Sequence, residues 1–294
     1  MFWTDTKANI TDTGPFIYEG GTRVTVRRLD LMDPVSGGNK WFKLKYNLVR
    51  FHKEGFEELV TFGGAYSNHI AAVARAGKEL KFSTTGIIRG EPASITNATL
   101  SRAAKDGMQL IFLNREAYRK KDNPTFVQEV LNGKKNYMVI PEGGCNTEGV
   151  LGCREIVTSA DNQFNHVIVA CGTGTTAAGI IASLKAHQQL IGISVLRNGQ
   201  FIAAAIRNFL QEACLGKIPD NWRIEHEFHF GGYAKSTPEL LAFCENFTSR
   251  TAIPVEPVYT GKVFYGLEKL IASGGFPSGS EILVIHTGGM QYLL

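Results

Sequence analysis

From about residue 58, short runs of β-branched and aliphatic residues alternate with stretches of helical pattern. The strand-like runs are ELVTF, STTGIIR, MQLIFL, YMVI, HVIVA, LIGISVL and EILVIH. Between most of them lie the helical stretches SNHIAAVARAGKEL, ITNATLSRAAKDG, TFVQEVLNG and TTAAGIIASLKAH. Because helices that connect parallel strands pack on the faces of the sheet, this alternation predicts an α/β fold with parallel sheets.

Capping signals mark helix ends in the C-terminal part of the chain. In AKSTPELLAFCENF, Thr237 can cap a helix that begins at Pro238. In YTGKVFYGLEKLIASGG the apolar residues recur at helical spacing, and Gly274 is a typical terminator. The sequence has no internal repeat or long linker, so several short crossings must join any two domains.

The bulk composition indicates a globular protein with a sizeable core. The 294 residues suffice for two ordinary domains, and 44% of them are hydrophobic and 20% charged. The formal net charge of +4 is mild, and the basic residues form no long run with interleaved aromatic residues. Nucleic acid is therefore not expected as a partner.

The cysteines and the hydropathy of the chain bear on its compartment. The five cysteines show no C-x-x-C pair, which favours reduced, mostly buried thiols; they are Cys145, Cys153, Cys171, Cys214 and Cys244. No apolar run approaches the ~20 residues that span a bilayer, and the N-terminal sequence lacks the pattern of a signal peptide. We therefore expect a soluble, cytoplasmic protein that does not enter a membrane.

Four loops rich in glycine or polar residues follow predicted strands. They read GGAYSNH, PEGG, CGTGTTAAG and HTGG, and ligands of parallel sheets bind at such strand ends. CGTGTTAAG lacks the third glycine of a dinucleotide fingerprint, because residue 177 is Ala177, and it lacks the G-K-[ST] of a P-loop. It suits a single phosphate better than a dinucleotide, and the alternative is a tight strand-to-helix turn.

Several polar residues beside these loops have both a chemical and a structural interpretation. Lys40 opens a helix pattern after two glycines, where a cation opposes the helix dipole, so it is either a reactive amine or a solvated side chain. Ser67 and Asn68 are either site residues or helix caps. Tyr233 and Tyr259 are either site residues or ordinary core and loop aromatics.

Six motifs taken in order resemble a known enzyme family. They are GGNK at 37–40, GGAYSNH at 63–69, PEGG at 141–144, CGTGTTAAG at 171–179, PVYTGK at 257–262 and IHTGG at 285–289. The set resembles the pyridoxal-phosphate (PLP) enzymes of the 1-aminocyclopropane-1-carboxylate (ACC) deaminase and D-cysteine desulfhydrase family, over nearly the whole chain.

The resemblance implies the tryptophan synthase β-like fold, also called fold type II, with two open twisted parallel-sheet domains. Residues 1–47 plus 153–294 would form the large PLP-binding domain, and residues 48–152 a small domain inserted in it. It also implies a small amino acid as substrate and a homodimer.

The resemblance assigns roles residue by residue. Catalytic roles fall to Lys40, Ser67, Tyr233 and Tyr259. Lys40 would join the cofactor aldehyde as a Schiff base, Ser67 would contact the substrate carboxylate or act as a nucleophile, and the two tyrosines would flank the substrate. Binding of pyridoxal 5'-phosphate falls to Lys40, Lys43, Asn68, Thr173, Gly174, Thr175, Thr176, Thr260 and Thr287. No metal is expected.

Two positions separate the chemistries within the family. Members that open the ring of ACC resemble one another in having Glu and Leu where this chain has Thr260 and Thr287. A carboxylate near the pyridine nitrogen would keep that nitrogen protonated, and a hydroxyl cannot. The two threonines therefore favour α,β-elimination from a small, D-configured amino acid such as D-cysteine, giving pyruvate, ammonia and sulfide.

The chain departs from the family pattern at Trp41, Phe42, Tyr66 and 70–72, positions expected near the substrate. Three alternatives therefore stay open at this point: an ACC deaminase giving 2-oxobutyrate and ammonia, a PLP-binding protein without turnover, and a plain nucleotide-binding module.

Overall fold

Ten strands and ten α-helices form the described part of the chain, which in this computed structural model comprises residues 10–32, 37–91, 97–213, 216 and 218–289. The strands are β1 Asp12–Ile17, β2 Arg23–Arg28, β3 Glu58–Gly64, β4 Ser83–Arg89, β5 Gln109–Leu113, β6 Tyr137–Ile140, β7 His166–Cys171, β8 Gln189–Ser194, β9 Trp222–Glu225 and β10 Glu281–His286. The helices are α1 Asn39–Lys53, α2 Asn68–Leu80, α3 Ala98–Lys105, α4 Arg115–Tyr118, α5 Pro124–Val130, α6 Thr147–Cys153, α7 Thr175–Ile181, α8 Phe201–Glu212, α9 Pro238–Thr251 and α10 Thr260–Ala272.

The strands form two separate sheets. The larger has the order β1-β2-β10-β7-β8-β9, and every neighbouring pair is parallel except β1 with β2. The smaller has the order β5-β4-β3-β6 and is entirely parallel. The predicted α/β fold with parallel sheets is confirmed, and all seven predicted strands are present. β1, β2 and β9 were not predicted from the sequence.

The predicted helix ends are confirmed with one correction. The Leu240 N–H donates to the Thr237 hydroxyl at 3.3 Å, and α10 ends just before Gly274, whose φ is +73°. The helix predicted over TTAAGIIASLKAH is wrong in length, because α7 ends at Ile181. There the Ser183 hydroxyl donates to the Ile180 carbonyl at 2.8 Å, so the chain turns instead of continuing the helix.

Helix α1 packs into the cores of both sheets. Trp41 and Phe42 lie in the cluster beside β7 and α7, whereas Leu44, Leu48 and Phe51 lie in the cluster between α2 and β3. Because α1 is anchored in both cores, its first turn and the GGNK motif have a fixed position relative to both sheets. Burial of these large side chains stabilises α1 far more than its own helix propensity does.

The fold bears only in part on the predicted domain division, cysteines, membrane relation, oligomeric state and location. The division into residues 1–47 plus 153–294 and 48–152 stays a prediction, which is supported by the place of β3–β6 in their own sheet. The four described cysteines are free thiols, three of them buried, and Cys214 lies outside the described residues. Among the helices of the described chain, none is long and apolar enough to cross a membrane. The homodimer and the cytoplasmic location stay predictions.

Candidate active site

A cavity of about 590 Å³ opens where the carboxyl ends of strands from both sheets face α1 and α10. This volume is in the range of small-molecule sites. Ten of the twelve predicted site residues line it: Lys40, Lys43, Ser67, Asn68, Thr173, Gly174, Thr176, Tyr233, Tyr259 and Thr287. The chain topology thus gathers motifs that are up to 250 residues apart in sequence into one site.

Close backbone approaches bring the motifs together. The Asn39 N–H donates to the Thr287 carbonyl at 3.1 Å, and a Cβ on Gly38 would lie 2.3 Å from the same oxygen. A Cβ on Gly289 would lie 2.9 Å from the Asn68 amide nitrogen. Only glycine fits at these two points, because any side chain would collide with backbone or with a site residue.

Lys40 is the second residue of α1, and its half-buried side chain lies in the cavity wall. Its Nζ donates to Asn39 Oδ1 at 2.9 Å, and Asn39 Nδ2 donates to Thr176 Oγ1 at 2.9 Å. Burial, helped by the positive charge of Lys43, lowers the pKa of the Lys40 amine to about 7. Near neutral pH a large fraction of this amine is uncharged and nucleophilic.

The turn at 172–176 lies beside Lys40 through the Asn39 bridge. Gly174 has φ +87°, a left-handed conformation that favours glycine, so the turn can present its N–H groups and hydroxyls inward. The hydroxyls of Thr173 and Thr175 are 3.2 Å apart. Thr175 itself is fully buried behind the cavity wall and does not line it, so its side chain supports the turn from behind.

Lys43 lies one turn further along α1 and is buried. Its Nζ donates to the Gly143 carbonyl at 3.0 Å, which joins α1 to the PEGG loop after β6. A Cβ on Gly144 would lie 3.2 Å from the Lys43 Cβ, so this loop packs directly on the lysine stem. The second cation predicted for the site is therefore present in the wall and anchored to backbone.

The loop after β3 carries three consecutive polar residues into the wall, Ser67, Asn68 and His69. The Ser67 hydroxyl accepts a hydrogen bond from the Ile70 N–H at 3.3 Å, so Ser67 is both the cap of α2 and a cavity residue. The two interpretations of Ser67 left open by the sequence are thus compatible.

His69 is buried and neutral. Thr61 Oγ1 donates to the Ile140 carbonyl at 2.9 Å and lies 3.0 Å from His69 Nε2, so Nε2 carries the ring hydrogen. Burial and the charges of Lys40 and Lys43 hold the pKa of His69 well below its usual range. This neutral ring adds no further positive charge beside the two lysines.

Two tyrosines, Tyr233 and Tyr259, form another part of the cavity wall. The rings of Tyr233 and Tyr259 meet edge to face, with centroids 5.9 Å apart. Burial and the neighbouring Tyr233 raise the pKa of Tyr259 well above its usual range, so its phenol keeps its proton near neutral pH. Both rings are in positions from which they can contact a ligand in the cavity.

Thr260 does not line the cavity, whereas Glu256 and Thr287 do. Thr260 Oγ1 accepts from the Glu256 N–H at 3.0 Å and donates to Glu256 Oε1 at 3.2 Å. The Glu256 carboxylate also accepts the N–H groups of residues 258–260 at 2.6 to 2.9 Å. Burial raises the pKa of Glu256 to about 7, against the lowering effect of these donors. Thr260 was predicted to contact the cofactor. Its hydroxyl instead faces Glu256, behind the cavity wall.

The departures from the family pattern are also mostly remote from the cavity. Trp41 and Phe42 pack in the core under α1, and residues 70–72 are buried in α2, a helix that is buried on most of its surface. The expectation that these positions face the substrate is wrong, because their side chains are buried in the protein and do not line the cavity. Tyr66 alone among them lines the cavity, and it is 58% exposed.

A model of the family described as pyridoxal-phosphate dependent enzyme matches residues 15–288. The chain belongs to this family. It is 32% identical over 290 residues to a Pyrococcus horikoshii protein named "Putative 1-aminocyclopropane-1-carboxylate deaminase", covering 93% of this chain and 86% of that one. It is 29% identical over 297 residues to an Arabidopsis thaliana protein named as a bifunctional mitochondrial D-cysteine desulfhydrase/1-aminocyclopropane-1-carboxylate deaminase, covering 92% and 73%.

Two solved structures share the fold of this chain. An ACC deaminase homologue superposes with a TM-score of 0.82 at 30% identity, covering 93% of this chain and 86% of that one. A hydrogen sulfide-producing enzyme from Fusobacterium nucleatum has a TM-score of 0.70 at 14% identity, covering 99% of both chains, and shows the fold alone. The predicted fold type II and the predicted cofactor, pyridoxal phosphate, are confirmed.

The residues of this PLP enzyme fit its cofactor. A half-buried amine with a lowered pKa and a Gly/Thr turn lie in one cavity, joined by a single asparagine. Pyridoxal phosphate needs an amine for its aldehyde and an anion cradle for its phosphate. Several lining residues received no role from the sequence, although most lie inside or next to the six motifs: Asn39, His69, Arg89, Glu142 and Glu256.

Proposed function

We propose that this enzyme catalyses α,β-elimination from a small D-amino acid with a β-thiol, in the manner of a D-cysteine desulfhydrase. D-cysteine and water would give pyruvate, ammonia and sulfide. The Cα–H bond and the Cβ–S bond break, the sulfur leaves with the bonding electron pair, and hydrolysis of the released enamine yields pyruvate and ammonia.

In this proposal Lys40 holds the cofactor through its aldehyde, and the turn at 172–176 with Lys43 holds the phosphate end. When bound, pyridoxal phosphate supplies an electron sink that stabilises negative charge at Cα of the amino acid. The pKa of about 7 lets the Lys40 amine take and return a proton at neutral pH. Asn68 would bond the ring hydroxyl from the opposite sheet.

The substrate side falls to the N-terminus of α2 and the two tyrosines. Ser67 caps that 13-residue helix, whose N-terminal dipole favours the substrate carboxylate. Tyr259 keeps its proton and can donate it to the leaving sulfur, and Tyr233, which lines the cavity beside it, would flank the substrate.

The observation that carries the proposal is the chemistry of the wall formed by the HTGG loop and the start of α10. Thr287 presents a hydroxyl there, and both oxygens of Glu256 accept hydrogen bonds from residues 258–260. The Glu256 carboxylate is thus held mainly by the backbone at the start of α10, and Thr287 supplies a hydroxyl instead of a second carboxylate, so the groups of this wall resemble those of an elimination enzyme more than those of a ring-opening one.

The second candidate is an ACC deaminase, which the names of the curated relatives favour. A panel of D-cysteine, L-cysteine, β-chloro-D-alanine and ACC separates the two reactions by their keto acids. We expect pyruvate and sulfide from D-cysteine and little 2-oxobutyrate from ACC. Release of 2-oxobutyrate from ACC without sulfide from D-cysteine would reverse the assignment.

Variants test the residues behind the proposal. Lys40→Ala should lose the visible absorption of bound cofactor and the activity. Lys45→Ala is the matched control on the same helix, because its Nζ pairs with Glu155 at 2.6 Å outside the cavity lining. Thr260→Glu combined with Thr287→Leu should move activity from D-cysteine toward ACC, and an unchanged ratio would remove these positions from the argument.

A further inference from the structure

The loop from Phe228 to Lys235 runs along one stripe of α10, in the opposite direction. Its contacts come in order: Phe228 against Gly266, where a Cβ would lie 2.8 Å from the ring, and Phe230 edge to face with Tyr265 at 4.8 Å. Then come Gly232 against Lys262 and Tyr233 against Tyr259. On the helix side, Tyr265, Lys262 and Tyr259 are each three residues apart, as one helix face requires, and Gly266 adjoins Tyr265.

The backbone of this loop is strained. Phe230 has φ +51° and Ala234 has φ +52°, a left-handed conformation that residues with a Cβ adopt reluctantly. Gly231 and Gly232 have φ +88° and +119°. A loop with four such residues within five positions needs outside contacts to keep one conformation. Tyr233, which lines the cavity, is carried by this segment.

Lys262 supplies one such contact from inside the protein. Its side chain is fully buried, and its Nζ donates to the Gly232 carbonyl at 2.7 Å. The same carbonyl accepts from the Lys235 N–H at 3.1 Å. Burial lowers the pKa of Lys262 to about 8, and the charge of Glu256 opposes this shift. Burying an ammonium group costs free energy, because the group loses its hydration. The short hydrogen bond from Lys262 to the loop therefore calls for an explanation.

We propose that Lys262 is a positioning residue that fixes the Gly232 carbonyl and thereby holds Tyr233 over the cavity. Lys262 does not line the cavity itself and would act only through the loop. The inference rests on the proposed function in one respect alone, the role of Tyr233 as a substrate contact.

Amide hydrogen exchange of the holoenzyme tests the structural half without any substrate. We expect Lys262→Met to exchange about tenfold faster or more over residues 230–235, the size expected for loss of a charge-assisted hydrogen bond, with α9 unchanged. Lys262→Gln keeps an N–H donor but loses the positive charge, so residues 230–235 should also exchange faster in it than in the wild type. This variant tests the proposal if the methionine variant does not fold. Lys105→Met is the control, an exposed helical lysine at the end of α3, beside the smaller sheet.

Exchange at wild-type rates over 230–235 in the folded variants would overturn the proposal, whatever reaction the enzyme catalyses.

A kinetic experiment tests the action of Lys262 through Tyr233. It uses a double-mutant cycle with Tyr233→Leu and the best substrate of the panel. Lys262→Met should lower kcat/KM about tenfold in the wild-type background and have little further effect once Tyr233 is removed. Full additivity of the two losses would overturn the action through Tyr233. Failure of every substrate would contradict the proposed function and leave the exchange result standing.

Discussion

Replacement of Gly152 by alanine should disturb the crossing between α6 and α1 and, through it, the site. A Cβ at this position would lie 1.8 Å from the Phe42 carbonyl oxygen and 2.8 Å from its carbonyl carbon. Phe42 precedes Lys43 and lies two residues after Lys40. The helices therefore touch backbone to backbone at the turn of α1 that carries both lysines.

The loss of stability in Gly152→Ala follows from how far the two helices must move apart. The 1.8 Å approach is short of the 3.4 Å at which ordinary contact begins by about 1.6 Å, and the obstructing atom is backbone. Overpacking of this kind costs about 3 kcal/mol, although alanine favours a helix over glycine by about 1 kcal/mol. A shift of 1 Å at a reacting group can lower activity about a hundredfold. Both stability and cofactor attachment at Lys40 should suffer.

Urea unfolding and the visible spectrum of the holoenzyme measure the two effects. We expect the unfolding midpoint of Gly152→Ala to fall by about 1 M. The control is Gly55→Ala, whose added methyl meets nothing within 4 Å and whose φ of +72° makes the expected loss only about 1 kcal/mol. If the two variants unfold at the same urea concentration and keep the wild-type spectrum, the crossing is not the rigid contact described above.

Three further predictions concern charged and polar groups. Because the Lys40 amine has a pKa of about 7, uptake of pyridoxal phosphate by the apoenzyme should accelerate between pH 6 and pH 8, and a flat stopped-flow rate would contradict this. Burial raises the pKa of Asp161, but the hydrogen bonds and charge of Arg27 together with the hydrogen bonds from Thr158 outweigh it and lower this pKa. The carboxylate therefore adds stability that is lost as pH falls below about 4; Asp161→Asn should make the urea midpoint less pH-dependent there, and an unchanged dependence would refute it. Asn47→Ala should cost about 2 kcal/mol, because the buried amide donates to the Lys43 carbonyl at 2.8 Å and pairs with Asn146; an unchanged urea midpoint would count against it.

Five of the seven strands that the sequence revealed are buried on both faces. β3, β4, β7, β8 and β10 are buried along most of their length, as central parallel strands must be. β9 reads WRIE and is only half-buried at the sheet edge, so it lacks that pattern. β2 reads RVTVRR, and its Arg27 is buried because a carboxylate distant in sequence, Asp161, pairs with it at 2.7 Å. No local pattern could reveal such a partner.

The site shows the same division between local and tertiary information. Motifs at strand ends identified most of the cavity wall, because parallel topology brings those ends together. The direction of a side chain within a motif was harder to predict from the sequence. Thr260 turns toward Glu256 because the first turn of α10 needs an acceptor for its free N–H groups, and the carboxylate four residues earlier supplies it. The sequence motif PVYTGK shows the threonine but not the direction of its hydroxyl.

The unfavourable place of Lys40 at the start of α1 is resolved by its surroundings. A full positive charge in the first turn would oppose the helix dipole and repel Lys43. Burial and that same neighbour lower the pKa to about 7, so the amine can shed the charge, and Asn39 accepts a hydrogen bond from it. The helix keeps its position because its large apolar side chains lie in two cores. The features that make this lysine costly for the helix are thus those that make its amine reactive, and packing remote from the cavity supplies the stability that the first turn lacks.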